Sequence, residues 1–222
     1  MKTYELQNTT IWSFPNRGNW ATHKGDYRGN WSPHIPKNLI LKYSKPNELI
    51  LDCFVGSGTT LIEAKLLNRN AIGIDISNYA LNISKERLRF DSHNSTKIKL
   101  YQCDAKKMTM LKDNSIDFIC THPPYANIIK YSKNLENDLS LLDYKDFLLH
   151  MDKVSKELYR VLKQGHNCSF MIGDIRKNGN VIPLGFNTMQ VFLNNGFTLK
   201  EIIIKEQHNC SSTKYWQNKI QN

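Results

Sequence analysis

Residues 48–60 read ELILDCFVGSGTT, an apolar strand-like run that delivers Asp52 and then a turn carrying Gly56 and Gly58. Side chains at those two positions would block close approach of a ligand to the backbone, so the turn reads as a cradle. Downstream, TTLIEAKLLN places Leu61, Ile62, Leu66 and Leu67 near helical spacing, and NAIGIDI (70–76) is a second strand-like run. The order is strand, glycine loop, helix, strand. A helical segment over Asn78–Phe90, a strand in KIKLYQCDA (97–105) and a third apolar strand in SIDFICTHPPY (115–125) continue the alternation. Buried-looking strands separated by helices predict an α/β protein with a doubly wound, mostly parallel sheet.

In the second half, residues 144–165 carry Phe147, Leu148, Met151, Val154, Leu158, Val161 and Leu162 on one helical stripe, and Gly165 is the expected stop. CSFMIGDI (168–175) reads as a strand, FNTMQVFLNNG (186–196) as a helix, and FTLKEIIIKEQ (197–207) as a final strand. An antiparallel strand near the C-terminus is expected to complete the sheet. The first forty or so residues are aromatic, Gly- and Pro-rich and without a clear period. Residues 1–38 are therefore expected to form an arm packed on a single domain spanning 1–222, a length suited to one well-buried core.

The bulk properties narrow the class. No apolar run is long enough to cross a bilayer, and MKTYELQNTTIW holds no secretory pattern, so a cytoplasmic location is expected. Cys53, Cys103, Cys120, Cys168 and Cys210 lack zinc-site spacing and read as reduced, mostly buried thiols, with no metal site expected. A net charge of +10 suits a polyanionic partner, because neutralising phosphates releases condensed counterions.

The glycine turn fits neither common nucleotide fingerprint. A dinucleotide site calls for a third glycine where Leu61 stands, and no Gly-Lys-Ser/Thr follows for a P-loop. The pattern Asp-x-Phe-x-Gly-Ser-Gly-Thr instead resembles the cofactor motif of S-adenosylmethionine-dependent amino-methyltransferases, which implies a Rossmann-like methyltransferase fold. The resemblance assigns Asp52, Phe54, Gly56, Ser57, Gly58 and Thr59 to the cofactor turn. It also implies Asp75 at the ribose hydroxyls, Asp104 at the adenine amino group and Ile76 against the ring. Just upstream, NWSPHIPKNLILKYSKPNEL is similar to the family's cofactor-flanking segment, with Trp31, Pro33, His34 and Pro36 as candidates.

The third strand ends in Thr121-His122-Pro123-Pro124-Tyr125, which resembles the Asp/Asn/Ser-Pro-Pro-Tyr catalytic motif of the same family. An exocyclic amine is a poor nucleophile while its lone pair is delocalised into the ring. Acceptors that draw it towards tetrahedral geometry restore reactivity, and a side chain at 122 with the Pro123 carbonyl can supply them. Two prolines stiffen the turn, and Tyr125 can stack on a base swung out of duplex DNA. His122 departs from the pattern. Imidazole accepts a hydrogen bond only when neutral. In the family it resembles, Asp usually accompanies adenine and Ser cytosine, and His is diagnostic of neither; cytosine N4 is slightly favoured over adenine N6. No Pro-Cys dipeptide is present for methylation at cytosine carbon 5.

The reading is an enzyme that methylates a base amine in double-stranded DNA, in a restriction-modification system or alone. An RNA base-amine methyltransferase and a non-catalytic DNA-binding subunit are the alternatives. For nucleic-acid contact the candidates are Arg17, Lys24 and Arg28, interleaved with arm aromatics, and Arg176 and Lys177 at an expected hairpin tip. A second subunit is the other route to sequence recognition. The stretch after Tyr125, ANIIKYSKNLENDLS, is expected to be a loop able to close over the target base.

Overall fold

The computed structural model describes residues 6–92 and 94–208. Cys210 and the first five residues of the arm lie outside the described residues. The elements in chain order are β1 (Ile11–Trp12), α1 (His34–Tyr43), β2 (Leu49–Asp52), α2 (Thr59–Leu66), β3 (Asn70–Asp75), α3 (Asn78–Arg87), β4 (Ile98–Gln102), β5 (Ile116–Thr121), α4 (Tyr144–Val161), β6 (Leu162–Phe170), β7 (Ile175–Lys177), β8 (Asn180–Ile182), α5 (Leu184–Asn194) and β9 (Ile204–Lys205). Five strands form the central sheet in the order β4-β3-β2-β5-β6, every neighbour pair parallel.

Strand residues alternate between two cores. Leu51, Ile72, Ile74, Ile116 and Ile119 face α4 and α5 through Phe147, Met151, Val154, Leu158, Leu184 and Phe192. Ile50, Ala71, Phe118 and Cys120 face α1, α2 and α3 through Ile35, Leu39, Ile40, Leu61, Ala64 and Leu81. Burial on both faces is what makes the parallel strands apolar throughout, and each such side chain stabilises by about 1.5–3 kcal/mol. The Rossmann-like sheet reverses its winding between β2 and β5, and the carboxyl ends of strands beside such a switch point are where ligands bind in this architecture.

Several boundaries differ from those expected. The long helix stops at Val161 rather than Gly165, because Asn114 N and Ser115 N take the Arg160 and Val161 carbonyls at 3.0 and 2.9 Å. The chain passes straight into β6, so Leu162 belongs to the strand. Gly165, with φ of 75°, lies where the β5–β6 register jumps from Ile116↔Leu162 to Phe118↔Asn167. The strand expected at 168–175 is thus drawn earlier, to 162–170, and residues 171–174 leave the sheet. The antiparallel pairing near the C-terminus takes the form of a separate β7–β8 ribbon. Of residues 197–207 only β9 is strand, paired parallel with β1 of the arm.

The arm is woven into the core. Trp12 and Trp31 are buried in the α1–α3 core, and α1, which the sequence left without a period, starts at Pro33 and buries Ile35, Pro36, Leu39 and Ile40. The Trp20 indole N–H donates to Glu63 at 2.7 Å, and His23 meets the same buried carboxylate at 2.7 Å. Among the described residues no helix is long and apolar enough to cross a membrane.

Candidate active site

The turn after β2 is bent by its backbone. Val55 N bonds back to Ile74 O at 3.0 Å, Gly58 N bonds to Val55 O at 2.8 Å, and Gly56 and Gly58 carry φ of 49° and 84°. The two glycines serve different ends. At Gly58 a Cβ would stand 3.1 Å from Ser84 Oγ, so this glycine lets α2 and α3 approach. Gly56 turns its amide to Asp75 Oδ2 at 3.0 Å, its carbonyl receives Ser84 Oγ at 2.7 Å, and the residue lines a cavity.

That cavity, of about 100 Å³, is walled by Asp52, Phe54, Gly56, Ser57, Asp75, Ile76, Asp104 and His122 from the expected set. The structure brings these together at the carboxyl ends of four strands. Gly58, Thr59, Pro33 and Pro36 are not among its lining: the first two start α2, and the prolines start α1. Apart from Trp31, a candidate of the flanking segment, the roof comes from residues the motifs did not announce. Tyr27, Gly29, Asn30 and Trp31 reach over from the arm, and Tyr131, Ser132, Leu135, Asn137, Asp138 and Leu139 from the loop after Tyr125. Tyr27 and Tyr131 stack across the opening with ring centroids 6.0 Å apart. This loop, expected over the target base, lines the same cavity as the turn of Gly56. Asn137 is tied to Lys106 Nζ at 2.8 Å.

Asp52, besides lining the cavity, braces the turn. Its carboxylate is buried and spent on Thr60 Oγ1 (2.5 Å), Thr121 Oγ1 (2.7 Å) and Phe54 N (3.1 Å). It brackets the glycine turn to the end of β5, and burial pushes its pKa up to about 6. Asp75 holds the turn with Oδ2 and Ser77 N with Oδ1 (2.9 Å), and burial raises its pKa as well. Asp104 Oδ1 accepts from Lys106 N at 2.9 Å.

His122, leaving β5, packs flat on Trp31 with centroids 5.2 Å apart and planes 20° from parallel, and its Nε2 lies 2.9 Å from Tyr125 Oη. Burial lowers its pKa to about 4, so the imidazole is neutral across the physiological range. Burial also pushes the Tyr125 phenol up. A Cβ on Gly173 would meet Tyr125 Cε2 at 3.1 Å, so the bare glycine backbone is what lets the ring lie there. On the far side of the tetrapeptide opens a cleft of about 1770 Å³, lined by His122, Pro123, Pro124, Tyr125, Gly173 and the exposed edge of β6. His122, Pro124, Trp31 and Tyr131 line both spaces.

The nucleic-acid candidates fare unequally. Arg17 is turned inward: its Nη2 donates to Trp31 O at 2.9 Å, while Ser32 Oγ donates to Arg17 O at 2.6 Å. It fixes the Trp31 backbone at the wall of the cleft. Lys24 and Arg28 are exposed, and Arg176 and Lys177 are exposed on the β7–β8 ribbon, whose turn uses Asn178 and Gly179 at φ of 52° and 82°. Cys53 and Cys120 are buried thiols, with Cys103 and Cys168 partly so. Among the described residues Glu48, Asp117 and His166 gather at the opposite end of the sheet, where Lys163 already serves Asp117 as a cation at 2.6 Å.

The charge of the cavity walls suits S-adenosylmethionine. Four carboxylates and no Lys or Arg line it, in a chain of net charge +10, and such walls suit a cationic sulfonium and ammonium while disfavouring a pyrophosphate. Residues 2–86 match the family described as DNA methylase, and residues 50–136 match a methyltransferase domain. The chain is 31% identical over 173 residues to the type II methyltransferase M.HpaI of Haemophilus parainfluenzae, covering 73% of this chain and 50% of that one. It is 41% identical over 107 residues to the type II methyltransferase M.HinfI of Haemophilus influenzae, covering 46% and 30%. It thus spans half or less of the length of these relatives. A TehB-like S-adenosylmethionine-dependent methyltransferase from Corynebacterium glutamicum shares the fold, with a TM-score of 0.51, 12% identity, and coverage of 78% and 80%. Glycine turn, strand-end acids and Pro-Pro-Tyr turn stand together in space as in sequence, and it is to S-adenosylmethionine-dependent DNA methyltransferases that the chain is similar over these segments.

Proposed function

We propose that the protein methylates an exocyclic amine of a base in double-stranded DNA, slightly favouring cytosine N4 over adenine N6. The observation that carries this reading is that His122 belongs to the walls of two spaces at once, the acidic cavity and the open cleft. A residue at such a partition touches donor and acceptor together.

When bound, S-adenosylmethionine supplies an electrophilic methyl group and a thioether leaving group. Asp75 and Asp104 are the residues suited to the ribose hydroxyls and the adenine amine, with Ile76 against the ring. His122, held neutral by burial, accepts a hydrogen bond from the target amine, and the Pro123 carbonyl is the second acceptor. Tyr125 offers its face to a base withdrawn from the duplex through the cleft. Basic residues along the cleft, including Lys200 and Lys205, suit the flanking phosphates. Target-sequence recognition is assigned to the cleft rim, the exposed Lys24, Arg28, Arg176 and Lys177, and a second subunit. The same chemistry serves a restriction-modification system or a solitary methylase.

The test is incubation with isotope-labelled S-adenosylmethionine and either duplex DNA or total RNA, then nucleoside digestion and mass spectrometry. Label in N4-methylcytosine or N6-methyladenine of DNA supports the reading. Label confined to RNA replaces it with an RNA base-amine methyltransferase. DNA binding without any transfer points to a non-catalytic subunit.

A further inference from the structure

The proposed reaction asks His122 for a hydrogen-bond acceptor, and a neutral imidazole has only one. Nε2 is engaged with Tyr125 Oη at 2.9 Å. Nδ1 has no hydrogen-bond partner among the described residues and is not among the fully enclosed polar atoms left without one. Two arrangements are open. If the phenol donates to Nε2, the imidazole proton sits on Nδ1, and the free nitrogen presents an N–H to an amine that is itself an N–H donor. If Nε2–H donates to the phenol oxygen, Nδ1 keeps its lone pair. Only the second is compatible with an activating role.

We propose that Tyr125 Oη accepts the hydrogen bond from His122 Nε2–H, fixing the tautomer whose Nδ1 lone pair is free for the target amine. Tyr125 is then a positioning residue in addition to a stacking surface, and its hydroxyl matters because residue 122 is histidine. An aspartate or asparagine there presents an acceptor oxygen whatever the neighbouring ring carries. The inference rests on the base-amine reading above.

The surroundings remove the ring's other freedoms. Trp31 holds the imidazole plane by stacking, and the Trp31 backbone is held in turn by the Arg17–Ser32 exchange. Gly173 backs the Tyr125 ring, and that ring meets the imidazole edge-on, with centroids 5.4 Å apart. With the ring buried and neutral, the tautomer is the variable left at ordinary pH, and the partner of one ring nitrogen is what selects it.

The experiment uses the full chain labelled with [15N]histidine. Long-range proton–nitrogen correlation separates the two tautomers, and among the seven histidines the His122 signals are those lost in His122→Asn. The expected wild-type spectrum shows Nε2–H. Tyr125→Phe, which keeps the aromatic face, should turn it into a mixture of tautomers and slow single-turnover methyl transfer on the order of tenfold, as one hydrogen bond is worth. Calorimetric affinity for S-adenosylmethionine should stay within about twofold. In the His122→Asn background the same Tyr125→Phe change should cost nothing further. A wild-type Nδ1–H spectrum, or a Tyr125→Phe spectrum identical to wild type, overturns the inference. A wild type that methylates no nucleic acid sinks the base-amine reading instead, and the spectra still decide the tautomer.

Discussion

The imidazole of His122 lies on the indole of Trp31, with ring centroids 5.2 Å apart and planes within 20° of parallel. Trp31 covers one face of the ring, and the surrounding protein takes the place of part of its hydration. That is why its pKa falls to about 4, although free histidine titrates near 6.5.

The first prediction is a pH profile. Protonation removes the acceptor, so methyl transfer should be flat from neutral pH down to about 5 and fall as pH drops through about 4. His122→Asn should retain part of the rate without that limb, whereas His122→Ala should lose on the order of 10²-fold with cofactor binding intact. Trp31→Ala should admit water and move the limb up towards 6.5. Folding is linked in the same window: the unfolded chain takes up the proton at about 6.5 and the folded one only at about 4, so this site costs stability as pH falls between the two. Single-turnover rates across pH and denaturation midpoints measured against His122→Asn check both parts.

The second concerns Asp75, which holds the Gly56 amide at 3.0 Å from inside the cavity. Asp75→Asn removes the charge and sets an amide nitrogen against one of the two backbone N–H groups that the carboxylate serves. Affinity for S-adenosylmethionine should drop by about 1.5–3 kcal/mol, and melting temperature should fall with it. Calorimetry that finds wild-type affinity would remove Asp75 from the cofactor site.

A third prediction separates the roof from the core. A Cβ on Gly29 would stand 1.9 Å from Tyr131 Oη, at φ of 81°. Gly29→Ala should therefore part Tyr27 from Tyr131 and weaken cofactor binding several-fold, while left-handed backbone strain adds about 1–2 kcal/mol of destabilisation. Tyr131→Ala in the same background relieves the clash. If it leaves stability as low as in the single variant, the steric account is wrong.

The fourth concerns the arm. Removing residues 1–28 deletes Trp12 from the core and both partners of the buried Glu63. Truncation should lower thermal stability and cofactor binding together, not DNA binding alone. Trp20→Phe is the finer probe: it strands part of a buried carboxylate, at about 1–3 kcal/mol, and should leave unchanged the slope of log affinity for DNA against log salt.

The glycine turn, α2 and β3 were legible because their signals are local: a positive-φ glycine, a helical stripe and an apolar run each act within a few residues. The end of α4 was not, because amides of Asn114 and Ser115, nearly fifty residues upstream, cap it. The same holds for Asp52. Its motif position announced the cavity wall, but not that Thr121, 69 positions away, would bond to one of its oxygens. Tyr27, Trp31 and Tyr131 come together only when an irregular arm and an irregular loop fold over the same strand ends, and irregular segments carry no period from which to read it.

The Asp52 bracket has a mechanical consequence. Because one carboxylate is bonded to both Thr60 and Thr121, the glycine turn and the Pro-Pro-Tyr turn behave as one stiff body, and neither can swing to let a bulky molecule pass. Opening for cofactor exchange is expected instead where the arm meets the loop of 131–139, with the rings of Tyr27 and Tyr131 parting.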